Sequence, residues 1–72
     1  MTLDKVKKGT SIKIIRIPQG DSRIQLLRMG IIEGDKIICL ERLPGGTVVI
    51  QKNRQEIAVG HSLAKQIMIL PE

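Results

Sequence analysis

Apolar and polar positions alternate along most of this chain, and the alternation predicts strands. Ile12 and Ile14 lie on one side of Lys13, so Thr10 to Ile17 reads as a strand. Ile15 and Ile17 fall out of phase with that pair, which predicts a bulge. Pro18 has no amide to donate and ends the strand. Lys36 to Arg42 reads as a second strand. Thr47 to Gln51 and Gln55 to Val59 form a hairpin around Asn53-Arg54, because Asn tolerates the positive φ of a tight turn. Ile67 to Leu70 is the last strand, ended by Pro71. Residues 3–8 and His61 to Lys65 each have room for a single helical turn.

One segment breaks the alternation. After Asp21 and Ser22, whose side-chain oxygens suit a helix start, Ile24, Leu26 and Leu27 fall on one side of about two turns. Leu27 is the residue expected to anchor this helix. Gly30 stands where a helix ends in the left-handed conformation, and Gly34-Asp35 marks a second turn. Leu43-Pro44-Gly45-Gly46 turns the chain again. Five short strands with one inserted helix predict an all-β fold, a small and partly open barrel. Thirteen isoleucines and four valines agree with it, since β-branched side chains suit a pleated, half-buried surface. Residues 1–72 are read as one domain.

The composition narrows the function classes. There is no Phe, Tyr or Trp. Bases of single-stranded nucleic acid stack on aromatic rings or Arg planes, and proline-rich peptides dock in aromatic-lined grooves. Neither task suits this chain. The net charge of +5 invites an acidic partner, but the basic residues are dispersed and only Lys5, Lys7 and Lys8 approach a cluster. No run approaches the roughly 20 apolar residues that span a bilayer, and the N-terminus has no signal-peptide apolar region. Cys39 is the single thiol, flanked by Ile37, Ile38 and Leu40, and reads as a buried small hydrophobe. His61 reads as an exposed turn residue. With one His, one Cys and no pair at ligand spacing, no metal site and no cofactor are expected. Glu33 and Asp35 flank Gly34 and read as solvated turn carboxylates. No nucleophile–base arrangement or phosphate-cradling loop is present, so the chain is not read as an enzyme.

The run L-L-x-M-G-I-x-x-G-D-x-I-x-C, at Leu26, Leu27, Met29, Gly30, Ile31, Gly34 and onward to Cys39, resembles the signature of the FeoA family. Leu3, Val6 and Gly9 resemble that family's opening turn. Leu43 to Gly46 resembles its Pro/Gly loop, and Ile57-Ala58-Val59 with Ala64, Ile67 and Ile69 its closing strands. Glu33 departs from the Pro found in many members. The resemblance implies an SH3-like barrel with the short helix after the first strand. It implies a cytoplasmic accessory protein of bacterial ferrous iron uptake that binds the cytosolic part of the membrane transporter FeoB. Such a partner would recruit it to the inner face of the membrane. Candidate contact residues are Arg23, Arg28, Ile32, Glu33, Leu43 and Pro44. Ile32 and Leu43 are expected either to form one small interface rimmed by Arg28 and Arg42 or to cap the ends of the barrel core. Leu26, Leu27, Met29, Gly30, Gly34 and Cys39 are structural.

Two other readings carry the same strands. The C-terminal domain of DtxR-type metal-dependent repressors is similar in sequence, but it follows a helix-turn-helix for which a chain starting at Met1 leaves no room. A small basic RNA-binding β-protein of the CsrA kind is faintly matched by Glu56 to Val59 and lacks the Leu26-to-Gly34 signature.

Overall fold

A computed structural model describes all of residues 1–72. A single 3-10 turn, Leu3–Lys5, leads into strand β1, Ser11–Arg16. Helix α1, Asp21–Arg28, follows, then β2, Lys36–Arg42, β3, Val48–Lys52, and β4, Gln55–Val59. A one-turn helix α2, His61–Ala64, precedes β5, Met68–Pro71. All five strands join one antiparallel sheet in the order β4-β3-β2-β1-β5. Two register shifts, at Ile14/Arg16 in β1 and at Cys39/Glu41 in β2, bend the sheet around its core. This is the expected all-β SH3-like architecture, with the helix inserted after the first strand.

The bulge in β1 lies where the phase change of Ile15 and Ile17 placed it. It lets Ile14 and Ile17 both point inward while Ile15 and Arg16 face water. Asn53 has a φ of 58° at the β3–β4 turn, as that tight hairpin requires. The core is fifteen residues, all apolar, and Cys39 is one of them. No polar side chain is buried, so the interior holds no unpaired donor or acceptor.

The two sides of the sheet end differently. Along β5 the start of the chain closes the edge: the Leu3 amide donates to the Ile67 carbonyl at 2.9 Å, and the Ile69 amide donates to the Met1 carbonyl at 2.8 Å. Thr2 bridges Met68 between them. At the other side, β4 pairs only with β3.

Helix α1 corrects two expectations. Asp21 and Ser22 do not cap it. Gly20 holds the cap position, and its carbonyl accepts from the Arg23 and Ile24 amides. Asp21 instead lies in the first turn, where a carboxylate favours the positive helix end. Leu27 does not anchor the helix either. It is 53% exposed and Ile24 is 50% exposed, whereas Leu26 is fully buried. The helix C-terminus gives the reason. The Gly30 amide bonds the Leu27 carbonyl at 3.0 Å, and the Ile31 amide reaches back to the Leu26 carbonyl at 2.8 Å. Gly30 has a φ of +83°. These are the paired bonds of a Schellman stop, which brings the residue after the glycine over the residue five before it. Leu26 and Ile31 are both buried in the core as a result.

Candidate functional site

The expected contact residues fall into two groups along the chain. The first surrounds α1 and the turn after it. Pro18 follows the end of β1 at an exposed position, and the chain enters α1 three residues later, at Asp21. Arg23 then points back along this turn. Its Nη1 donates to the Ile17 carbonyl at 2.7 Å and its Nη2 donates to Glu33 Oε1 at 2.9 Å. Glu33 Oε2 accepts from the Ile17 amide at 2.9 Å. Three segments distant in sequence thus meet on one carboxylate. The Arg23 hydrogen bond, followed by that of the Ile17 amide, holds the Glu33 carboxyl below its ordinary pKa. The same bond raises the Arg23 guanidinium. Arg23 and Glu33 are therefore partners of one another within this chain.

The turn from Gly30 to Asp35 is fixed as firmly. The Ile32 amide donates to Asp35 Oδ2 at 2.8 Å, and Lys52 Nζ pairs with that same oxygen at 2.9 Å. Lys52 Nζ also donates to the Gly30 carbonyl. The Gly34 amide and the Asp35 carbonyl both bond Ile14 in β1. Glu33 and Asp35 are not merely solvated: each has a backbone amide and a cation as partners. Lys52 was missed by the sequence reading, because nothing local links a β3 lysine to a glycine carbonyl 22 residues earlier. With its backbone committed, this turn presents Ile32 outward at 46% exposure. Arg28 is exposed at the end of α1, beside Leu27.

The second group is the β2–β3 loop. The Leu43 amide donates to the Thr47 carbonyl at 2.8 Å, and the Gly46 amide donates to the Leu43 carbonyl at 3.1 Å. Leu43 is 42% exposed and Pro44 is exposed. Gly46 has a φ of +93°, and the His61 ring lies against it: an added Cβ would meet His61 Nδ1 at 2.5 Å. Only glycine fits that place. Arg42 does not rim the helix group, since its Nη2 donates to the Asp4 carbonyl at 2.7 Å.

Arg42 is thus held by the opening turn, while Ile32 and Leu43 lie in different turns of the chain. They flank opposite ends of the seven-residue β2. Each is half-exposed, so neither caps the core.

Cys39 is fully buried, and desolvation pushes its thiol up. No three His, Cys, Asp or Glu side chains come together. No helix is long and apolar enough to cross a membrane.

The arrangement is that of a small β-domain with braced turns and exposed apolar corners, a contact module in form. The model of the FeoA domain matches residues 1–71, and the chain belongs to the FeoA family. That family is one of non-catalytic accessory domains. A crystal structure described as an iron uptake regulatory protein, FeoA, superposes with a TM-score of 0.86 at 26% identity, covering 99% of this chain and 95% of that one. The NMR structure of a FeoA-like protein from Clostridium acetobutylicum superposes at 0.87 with 25% identity, covering 99% and 85%. The manganese regulator SloR also superposes at 0.87, but at 22% identity and over 34% of its own length, which shows a shared fold alone. No curated protein matches in sequence.

Proposed function

We propose that this chain is a cytoplasmic accessory protein of ferrous iron uptake, which binds the cytosolic part of a FeoB-type transporter and supports or regulates transport. The observation that carries this reading is the family match over residues 1–71, from the first turn through β5. The surface agrees with a role by contact. Ile24 and Leu27 on α1 and Ile32 on the braced turn are exposed apolar side chains with Arg28 free beside them. Leu43 and Pro44 offer a second, smaller patch. Apolar centres with charged margins are the ordinary composition of non-obligate interfaces. The Arg23–Glu33 pair holds the first patch in shape and is a positioning element in it.

The test is made in a cell that depends on ferrous iron uptake. Removal of the chain should lower uptake of labelled ferrous iron, and the tagged chain should co-purify with the transporter. Unchanged uptake together with no co-purification would overturn the proposal.

A further inference from the structure

A cleft of about 440 Å³ opens between the β1 bulge, β5 and the end of α2. Its walls include Thr2, Ile15, Arg16, Pro18, Lys65 and Met68. The bulge builds it. A regular strand would alternate, and with Ile14 buried and Ile15 outward it would send Arg16 inward. The register shift at Ile14/Arg16 keeps both Ile15 and Arg16 on the outside. Bulges commonly re-aim a side chain in this way. Met68, the pairing partner of Arg16, faces the same opening. Ile15 is 46% and Met68 38% exposed, so two large apolar side chains of its wall stand in water.

The charge is one-sided. Arg16 and Lys65 line the cleft and no acidic residue does. Neither cation belongs to an ion pair within the chain. Glu33 feels Arg16 only at longer range, and its two oxygens are already held by Arg23 and the Ile17 amide. The molecule carries a net charge of +5, so a second copy would be repelled.

We infer that this cleft docks an acidic segment of the transporter's cytosolic part, one that sets an apolar side chain between Ile15 and Met68 and carboxylates on Arg16 and Lys65. The inference rests on the function proposed above and adds a further contact surface, between β1 and β5. A protein segment fits better than a membrane. Anionic lipid attracts clusters of four to eight Lys/Arg; this site is a cleft lined by two cations and two large apolar side chains.

The probe is the purified cytosolic part of the transporter, titrated calorimetrically with the intact chain at low and high salt. The double variant Arg16→Glu with Lys65→Glu should bind at least about tenfold more weakly and lose most of its salt dependence. Ile15→Ser should weaken binding at both salt levels. All three side chains are exposed, so thermal melts should stay near the parent's and show that the loss is local. Parent-like affinity in the double variant would overturn the inference while leaving the proposed function standing. No binding by the parent chain would defeat that function and the inference together. Sedimentation with phosphatidylserine vesicles completes the test: if the double variant loses vesicle binding yet keeps its affinity for the transporter, the cleft is a lipid site and the inference is wrong.

Discussion

A single carboxylate, that of Glu33, ties the end of β1, the first turn of α1 and the Gly34 turn together. Its lowered pKa makes this tie depend on pH. A carboxyl that titrates lower when folded than when unfolded contributes stability above its unfolded value, about 4.3 for Glu. That contribution is lost as the pH falls through the lowered folded value. Both partners are partly exposed, so water screens the pair and the effect is modest. Between about pH 5 and about pH 2 the parent should therefore lose more stability than Glu33→Gln, which has no such charge to neutralise. Denaturant melts across that range measure the two slopes. Equal slopes would mean that Glu33 titrates alike in both states.

At the scale of the element, α1 shows how adjacent leucines can have opposite fates. Leu26→Ala should destabilise by about 2–5 kcal/mol, since it empties a fully buried site. Leu27→Ala should change stability by no more than about 0.5 kcal/mol, as exposed substitutions do. Thermal melts of both variants decide it; a large loss in Leu27→Ala would show that the side chain packs inward. The contrast also marks what was legible in the chain. Strand phases, the β1 bulge, the Asn53 turn and burial of Cys39 follow from local alternation, and all are present. The fate of Leu26 against Leu27 does not, because two turns of helix are too short for periodicity to choose a face. The choice is made by the Schellman bonds, which draw Ile31 over Leu26. The surface was harder to read. Placing Arg42 requires knowing that the opening turn lies within reach of its guanidinium, 38 residues away along the chain. Pairing Arg23 with Glu33 requires knowing how α1 folds back on β1.

At the scale of the whole molecule, the sheet is held at one side by its own first residues. Chains near this length bury only about 60% of their unfolded surface, so each closure counts. Leu3 is fully buried and its amide bonds Ile67, while the Ile69 amide bonds Met1. The amides of Leu3 and Ile69 should therefore be released from hydrogen exchange only by global unfolding, with free energies matching those of the β2–β3 pair. Exchange at Leu3 and Ile69 well before that pair would show that the first residues fray on their own.

The same seam sets an order of events during synthesis. Residues 1–3 leave the ribosome well before their partners in residues 67–69. Strand β1 likewise waits across the intervening helix and hairpin for β5. Contacts so far apart along the chain form slowly, after the local turns. A nascent chain stopped before Ile67 can assemble the β2–β3–β4 meander, but β1 then has a bare flank and Leu3 has no seat. This domain closes as a unit only once β5 has cleared the exit tunnel, and until then the segment around Leu3 is open to whatever meets it first.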